Sequence, residues 1–358
     1  MKIVVAIDSF KGSVTSLEAG RAAEAGIKIS APNADVKVYP LADGGEGTCK
    51  TLTEGLGGVL KKVEVTGALG NKITAEFGEI GNLAVIEMAA AAGLNLVPEN
   101  LRNPLNTTTY GVGEMILRAL GDGCKNFIVG IGGSATNDCG LGMLTALGFS
   151  FGTGIFGRDL AGVEKISRTE KFRGCSFKVA CDVKNSLTGV NGCSAVYGPQ
   201  KGATPEIVAQ MEGWIKNFAE LAGEKNSVAG DGAAGGLGFA FRVFLGGELI
   251  PGVELILDAL KISDDLRDAD VLITGEGSVD AQTLQGKAPA GVAKLAKRLN
   301  PKIKTVAIGG GVEIGGGGDF DATFSILRAP VTLSEAMKKS VAEKNISETV
   351  AQIIRLIN

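Results

Sequence analysis

"KNFIVGIGGSATNDCGLGMLTALG" (residues 125–148) decides the fold class of this chain. The apolar run at 125–129 is typical of a buried strand, and the apolar run from Leu141 is typical of a helix. Between them lies "GIGGSATNDCG" (130–140), which is rich in glycine and in hydroxyl and amide side chains. A strand, a glycine loop and a helix in succession predict an α/β fold. The stretch also raises the question of what its loop does.

Stretches of the same type lie near the N-terminus. "KIVVAID" (2–8) is a continuous apolar run, as expected for a strand buried in a parallel sheet. Thr15 and Glu18 have the spacing of a capping box, which predicts a helix to about Ile29. "DVKVYPLA" (35–42) predicts the next strand, and "DGGEG" (43–47) leads into a short helix. This region therefore predicts a βαβ unit.

The alternation continues along the chain. Residues 72–80 and 82–89 predict two strands joined by a turn at Gly81-Asn82. Thr204 and Pro205 begin a predicted amphipathic helix, and "GDGAAGGLG" (230–238) is a second glycine loop. The remaining predictions are helices at about 107–120 and 291–299, strands at 176–183, 268–280, 304–311 and 321–327, and a last helix starting at the Thr332/Glu335 capping box.

The middle of the chain differs in character from its two ends, which share strand–loop–helix patterns. We therefore predict two α/β domains of Rossmann or flavodoxin type with mainly parallel sheets, one inserted in the other. The predicted ranges are 1–72 plus 262–358 for a discontinuous domain and 73–261 for the inserted domain. A chain of 358 residues, 45% of them hydrophobic, is long enough and apolar enough for two such cores.

Composition excludes several classes of function. The net charge of −3 gives no general attraction to nucleic acid or anionic lipid, and 5% aromatic residues make a base-stacking platform a poor expectation. The apolar run from Ile3 to Ile7 is too short for a signal peptide or a membrane span. The six cysteines show no C-x-x-C spacing, which suggests unpaired thiols in a reducing compartment. We therefore expect a cytoplasmic protein.

The chain contains no histidine. This removes Ser-His-Asp and Cys-His catalysis, histidine-ligated metals and histidine acid–base chemistry together. An enzyme with this composition must use carboxylates, lysine, tyrosine or cysteine as acid or base. Its metal, if it has one, is a hard cation held by oxygen, such as magnesium.

One interpretation of the loop at 130–140 is a dinucleotide site. Gly130, Gly132 and Ala135 fit the pattern G-x-G-x-x-A. The fingerprint also expects an acidic residue about 20 positions later, whereas none follows the loop region before Asp159. A phosphate-binding loop of the form G-x-x-x-x-G-K-[ST] is absent from the sequence.

Two other interpretations stay open for the same loop. Backbone N–H groups at a helix start bind anions, and Ser134, Thr136 and Asn137 could add donors. Alternatively, the loop is an ordinary capped helix start with glycines for the turn. Acidic residues shift the balance towards a ligand, because most of them follow apolar strands where parallel sheets form their ligand crevice. These residues are Asp8, Asp43, Glu46, Asp138, Asp182, Asp231, Glu276 and Asp280.

Lys11 and Lys287 stand in similar loops and are candidates for contacts with phosphate or carboxylate oxygens. Each of them is equally an ordinary surface lysine by sequence, and each of the acids could be a helix cap. A crevice with carboxylates, lysines, helix starts and no histidine favours phosphoryl transfer from a magnesium–nucleotide complex. That chemistry requires positioning, charge neutralisation and a carboxylate near the attacking hydroxyl.

A family resemblance adds to this argument. Long blocks such as "PLADGGEGT" (40–48), "GIGGSATNDCGLGML" (130–144), "YGPQKGA" (197–203) and "ITGEGSVDAQTLQGKAPAGVAKLAK" (273–297) occur in the order seen in the type-1 family of bacterial glycerate kinases, which this chain resembles over nearly its whole length. The resemblance implies ATP-dependent phosphorylation of D-glycerate with Mg²⁺, and two α/β domains with a cleft between them. It favours 2-phosphoglycerate over 3-phosphoglycerate as the product. Ser278 stands where the family commonly has arginine.

We predict the following site residues. Asp182 is the first candidate for the general base, Asp43 is the second, and Lys11 is predicted to contact the transferred phosphate or the substrate carboxylate. Glu276 and Asp280 share a loop after a buried strand and are predicted metal ligands. Substrate and phosphate binding is predicted for Asp8, Ser9, Glu46, Gly132, Gly133, Ser134, Thr136, Asn137, Asp138, Gly235, Gly236 and Lys287.

Two competing functions stay open from the sequence. One is an NAD(P)-dependent oxidoreductase acting on a small hydroxy acid, and the other is a non-catalytic sensor of a phosphorylated acid. The expected partners are ATP and D-glycerate, with neither nucleic acid nor membrane. The oligomeric state is open, a homodimer being one candidate.

Overall fold

The computed structural model describes residues 1–224, 226–313 and 318–357. Its eleven strands within these residues are β1 Lys2–Ile7, β2 Asp35–Pro40, β3 Val59–Thr66, β4 Lys72–Ile80, β5 Leu83–Glu87, β6 Asn126–Gly130, β7 Ser176–Ala180, β8 Glu248–Ile250, β9 Val271–Val279, β10 Lys304–Val312 and β11 Ala322–Ser325.

Helices connect most of the parallel strands. In the described part of the chain they are α1 Ser16–Ser30, α2 Thr48–Gly55, α3 Ala89–Ala92, α4 Tyr110–Gly121, α5 Leu141–Ala146, α6 Cys193–Tyr197, α7 Pro205–Leu221, α8 Leu237–Leu245, α9 Gly252–Ala259, α10 Ser263–Leu266, α11 Ala288–Leu299, α12 Leu333–Ala336 and α13 Lys339–Ile357. Several one-turn 3₁₀ segments lie between them.

The strands from the two ends of the chain form a five-stranded sheet in the order β11-β10-β9-β1-β2. All four neighbouring pairs are parallel. From β1 the chain proceeds to β2 on one side, and from β9 it proceeds to β10 and β11 on the other. The strand order therefore reverses between β1 and β9, which is the point where open parallel sheets form a ligand crevice.

Both faces of this sheet are covered, which explains the continuous apolar sequence of β1. Ile3, Val5 and Ile7 point to one face and join a core with residues of α1 and α13. Val4 and Ala6 point to the other face and join residues of α9, α10 and α11. Strand residues alternate between faces, so a strand buried on both sides must be apolar throughout.

The middle of the chain forms a six-stranded sheet in the order β3-β4-β5-β6-β7-β8. Its first two pairs are antiparallel, and its last three pairs are parallel. The sheet is therefore mixed, and the predicted hairpin is the β4–β5 pair. A single cluster of buried apolar side chains fills this part of the molecule, and it includes a run of phenylalanines in contact.

By contacts, the chain divides into two compact units. Unit 1 comprises Met1–Asp43, Glu54–Leu56 and Val253–Asn358, and unit 2 comprises Gly44–Thr53 and Gly57–Gly252. The predicted α/β class is confirmed by the two sheets with flanking helices. The predicted domain ranges stay a prediction. The two units differ from those ranges in two places, because β3 pairs with β4 of the six-stranded sheet and residues 253–261 fall in unit 1.

Local sequence signals predicted the positions of most helices and strands correctly. The Thr15 capping box is present, because Thr15 accepts from the Glu18 backbone and Glu18 accepts from the Thr15 backbone. Thr204 caps α7, and Met211, Ile215 and Phe218 on this helix are buried. The last predicted helix is in fact two, because α12 ends at Ala336 before α13 starts. Within the described ranges, no helix is long and apolar enough to span a membrane.

Candidate active site

A cavity of about 550 Å³ lies within unit 1, at the carboxyl ends of the five-stranded sheet. Its walls come from the segments that follow β1, β2 and β11 and from the ends of β9 and β10. The cavity therefore spans the point where strand order reverses, and its size is typical of small-molecule sites. Six predicted site residues line it, namely Asp8, Ser9, Lys11, Asp43, Glu276 and Lys287.

Glu276 is held in place within the carboxyl-terminal half of β9. One of its carboxylate oxygens accepts from the Thr283 hydroxyl at 2.7 Å, and the other lies 3.1 Å from the Lys287 amine. Glu276 is only 9% exposed, so this arrangement fixes its orientation towards the cavity. Sequence reasoning did not identify Thr283, although the family-like block at 273–297 contains it.

Asp8 is a perturbed carboxylic acid. Its pKa is raised to about 6, first by burial and then by the negative charges of Asp43 and Glu276. The Ser9 backbone N–H and the charge of Lys11 act in the opposite direction. The Ser9 N–H donates to an Asp8 carboxylate oxygen at 2.6 Å. The structure therefore brings three interacting carboxylates together beside two lysines, a pattern typical of functional sites.

The carboxylates of the cavity are not arranged to hold a metal ion without further ligands. Among residues 1–224, 226–313 and 318–357, no group of three acidic or cysteine side chains is arranged to hold a metal ion alone. Mg²⁺ usually takes one or two carboxylates and completes its shell with water and substrate phosphates. One or two of these carboxylates would meet that need, and a bound cation would relieve the repulsion that Asp43 and Glu276 exert on Asp8.

Asp280, the second predicted metal ligand, does not line the cavity. One of its carboxylate oxygens accepts from the backbone N–H groups of Gln282 and Thr283, at 2.8 and 3.2 Å. The Asp280 backbone N–H in turn donates to the Thr283 hydroxyl at 3.0 Å. Asp280 thus shapes the turn that presents Thr283 to Glu276.

The glycine loop at 130–140 differs from the phosphate-binding loop that one interpretation of the sequence predicted. Asp138 is fully buried, and it accepts from the Thr109 N–H and hydroxyl at 2.8 and 2.7 Å. It also accepts from the N–H groups of Gly140 and Gly142, both at 3.2 Å, at the start of α5. The anion at this helix start is therefore the chain's own carboxylate. The same capping removes the open helix start that a dinucleotide pyrophosphate would require.

A buried lysine supports the first half of this loop. Lys201 is 2% exposed, and its amine donates to the Ser134 hydroxyl at 2.8 Å and to the Thr136 carbonyl at 2.6 Å. Burial lowers its pKa to about 8. It forms no ion pair with any residue that the structure describes. We did not predict Lys201, because a lysine in sequence is ordinarily a surface residue; only the block "YGPQKGA" pointed to it.

The other loop residues differ in exposure. Gly132 and Gly133 are exposed, whereas Thr136 and Asn137 are buried. The Asn137 amide donates to the Ser194 hydroxyl at 2.8 Å, which makes it part of the packing of unit 2. Of the loop residues predicted to bind phosphate, therefore, solvent reaches only Gly132, Gly133 and a small part of Ser134.

Gly235 and Gly236 pack against this loop. Both have positive φ, and a Cβ on Gly235 would lie 2.2 Å from the Thr136 carbonyl oxygen. Close approach of two backbones explains both glycines without a ligand. Asp231 beside them is buried and pairs with Arg242 at 2.8 Å, so its role is structural.

Asp182 and Glu46 are exposed residues of unit 2. An Asp182 carboxylate oxygen accepts from the Gly252 backbone N–H at 2.8 Å. Neither residue lines the cavity of unit 1. The structure therefore groups six of the predicted residues in the cavity of unit 1.

Comparison with known proteins assigns the chain to a family. The model of the glycerate kinase family matches residues 3–358. The chain belongs to the glycerate kinase family. A glycerate kinase of Haemophilus influenzae (strain ATCC 51907 / DSM 11121 / KW20 / Rd) is 44% identical over 377 residues, covering 100% of this chain and 99% of that protein. A glycerate 2-kinase of Escherichia coli (strain K12) is 40% identical, covering 98% of each.

A solved structure gives the same result for the fold. The crystal structure of a glycerate kinase 2 from Salmonella typhimurium LT2 is similar with a TM-score of 0.91 and 42% identity, covering 100% of this chain and 98% of that one. The predicted family and the predicted enzyme class, a phosphotransferase with an alcohol group as acceptor, are confirmed.

Proposed function

We propose that this member of the glycerate kinase family phosphorylates D-glycerate with ATP and Mg²⁺ in the cytoplasm, at the 2-hydroxyl group. The observation that supports this best is the cavity at the strand-order reversal of unit 1, lined by Asp8, Lys11, Asp43, Glu276 and Lys287. Carboxylates and lysines around one cavity suit a reaction that depends on positioning and charge neutralisation. A relative named glycerate 2-kinase favours the 2-hydroxyl.

The residues of the cavity suggest separate roles. Lys11 and Lys287 are positioned to neutralise phosphate oxygens, and Glu276 and Asp8 would hold the metal. Mg²⁺, when bound, would neutralise charge on the phosphates during transfer. Glu276 is suited to this role because Thr283 and Lys287 fix both of its oxygens. Asp280 acts through the turn that holds Thr283, so we propose it as a positioning residue.

Two carboxylates are candidates for the general base. Asp43 lines the same cavity as the other charged residues, which favours it over the first sequence candidate, Asp182. Loose phosphoryl transfer demands little from a base, so its main contribution is orientation of the attacking hydroxyl. We expect Asp43→Asn to lower kcat by about 10²–10³-fold. Asp182→Asn, measured in parallel, is expected to retain activity within about threefold.

The activity is tested by measuring ATP consumption with and without D-glycerate, with the product identified by ³¹P NMR. A phosphate on the 2-hydroxyl couples to one proton, and a phosphate on the 3-hydroxyl couples to two. Consumption that depends on D-glycerate supports the proposal, and a one-proton coupling supports the 2-hydroxyl. ATP consumption that is indifferent to D-glycerate would contradict it. If Asp182→Asn lost all activity while Asp43→Asn kept normal activity, the general base would be assigned to Asp182 instead of Asp43.

A further inference from the structure

The cavity of unit 1 has an apolar part that the proposed chemistry does not use. Its lining there consists of Ile326 and Leu327 after β11 and of Leu333, Ala336 and Met337 in and after α12. Leu327 is 40% exposed, Leu333 75% and Met337 36%. Large apolar side chains that are exposed next to a cavity mark an interaction site for an apolar group.

The order of the strands fixes where this apolar part lies. Along the sheet edge, Asp43 follows β2, Asp8 follows β1 and Glu276 lies in the carboxyl-terminal half of β9. The charged residues therefore belong to three adjacent strands. Ile326 and Leu327 follow β11, the strand at the opposite edge. Neighbouring strands are about 4.8 Å apart, so β11 lies roughly 10 Å from β9 and roughly 14 Å from β1.

Glycines lie between the charged and the apolar parts. Gly310 and Gly311 on β10 line the cavity, as does Gly277 on β9. A Cβ on Gly310 would lie 2.9 Å from the Gly277 carbonyl oxygen, so the two backbones approach closely there. These glycines carry no side chain, and Ser278, which also lines the cavity, adds only a small hydroxyl beside Gly311. The strip therefore leaves a path along which an extended ligand can cross from β9 to β11.

We propose that the apolar part, formed by Ile326, Leu327, Leu333, Ala336 and Met337, binds the adenine base of ATP, with the phosphates extending across the glycine strip towards Lys11 and Lys287. This rests on the proposed function. A nucleotide has one flat, weakly polar end and one anionic end, which matches this sequence of linings. Glycerate is small and polar throughout, so it has no group that gains from the apolar part. The Ser13 hydroxyl, which also lines the cavity and lacks a partner among the described residues, is available to a base or ribose atom.

The test compares ATP with inorganic tripolyphosphate, which carries the phosphates without the base. Ala336→Trp would fill the apolar part, and Leu333→Asp would make it polar without disturbing a buried residue. Val331→Trp is the matched control, since Val331 is 46% exposed in the same segment and does not line the cavity. Binding to the full chain is measured by isothermal titration calorimetry with Mg²⁺ and without glycerate, after circular dichroism has established folding.

We expect Ala336→Trp and Leu333→Asp to weaken ATP binding at least tenfold and to leave tripolyphosphate binding within about twofold, with Val331→Trp like wild type in both. Wild-type ATP affinity in both cavity variants would overturn the proposal, and so would an equal loss for ATP and tripolyphosphate. Because glycerate is absent, the result is separable from the proposed function. A protein that shows the expected pattern without glycerate-dependent turnover would refute only the activity, and turnover with an unchanged KM for ATP in both variants would refute only the base site.

Discussion

Asp8 occupies a position that is unfavourable for a charged side chain. Its pKa is raised to about 6, first by burial and then by Asp43 and Glu276. In the unfolded chain the pKa of Asp8 takes its ordinary value near 3.8. The folded protein therefore holds the Asp8 proton more tightly than the unfolded chain does. The resulting stabilisation is fully present below pH 3.8 and is lost as pH rises through about 6. At neutral pH the ionised carboxylate costs stability.

Asp8→Asn should therefore separate activity from stability. The amide keeps the oxygen that accepts from the Ser9 N–H but carries no charge. We expect activity to fall at least about 100-fold and the free energy of unfolding at pH 7.5 to rise by about 1–2 kcal/mol, with allowance for solvent screening. Urea unfolding at pH 7.5 and pH 4 measures the difference, which should nearly vanish at pH 4. A variant less stable than wild type at pH 7.5 would contradict the argument.

For Lys201, the dependence of folding stability on pH has the opposite sign. Burial lowers its pKa to about 8 from an ordinary value of 10.5, so between these values the unfolded chain binds the proton more tightly. Wild-type stability relative to Lys201→Met should then rise by about 1–3 kcal/mol between pH 7.5 and pH 10. Parallel urea unfolding of both proteins measures this, and common titrations of other groups cancel in the difference. A gap that does not change with pH would contradict this argument, because it would show that the pKa of Lys201 is the same in the folded protein and in the unfolded chain.

Residue types alone could not separate carboxylates that line the cavity from carboxylates that hold the structure together. Asp8 and Asp138 both follow a buried strand, yet Asp8 lines a cavity and Asp138 caps a helix start. The difference depends on Thr109, which is 29 residues before Asp138 in the sequence and reaches it only in the fold. Lys201 was missed for a related reason, since its burial depends on contacts with a loop 65 residues away.

At the scale of elements, the packing of α1 against α13 depends on one glycine. A Cβ on Gly26 would lie 2.1 Å from the Ser347 carbonyl oxygen, so the two helix backbones touch there. Gly213 in α7 is the matched contrast, because its Cβ would meet nothing within 4 Å. Both glycines are inside helices and have ordinary helical backbone.

We expect Gly26→Ala to lower the free energy of unfolding by about 1–3 kcal/mol, because the helices must separate. Gly213→Ala should raise it by about 0.5–1 kcal/mol, since alanine is the better helix former at an open position. Chemical denaturation followed by circular dichroism distinguishes the two. Equal effects of both substitutions would show that the close contact at Gly26 can relax without cost.

Local sequence signals predicted most elements but not their partners. The Thr15 capping box and the Thr204 cap fix α1 and α7 through neighbouring residues, and both were predicted. The strand β3 carries no signal of its partner, and it pairs with β4 of the six-stranded sheet although we assigned it to the other domain. Pairing is decided by long-range burial, which a single sequence does not display.

At the scale of the molecule, the six cysteines are all unpaired thiols. Cys49, Cys124, Cys139 and Cys193 are buried, and only Cys175 and Cys181 are half-buried. Burial raises the pKa of both Cys175 and Cys181, which lowers the fraction of reactive thiolate.

A thiol titration tests this arrangement for the whole chain. With Ellman's reagent at pH 8, we expect at most two thiols per native chain to react, slowly, and all six to react at once in guanidinium. Cys175→Ser and Cys181→Ser should each remove one of the native thiols from the count. Rapid reaction of more than two native thiols would show that the buried cysteines become accessible.

Strand β1 is an interior strand of its sheet, between β2 and β9, and this has a consequence for synthesis on the ribosome. Roughly 260 residues separate the end of β1 from the start of β9. At about 5–20 residues per second, translation therefore leaves one side of β1 without its neighbour for about 13–50 s. During that interval an apolar strand presents an unpaired edge, which is an aggregation hazard. The intervening six-stranded unit can meanwhile fold as it emerges, so chaperone demand should concentrate on the segment of the nascent chain that carries β1, α1 and β2.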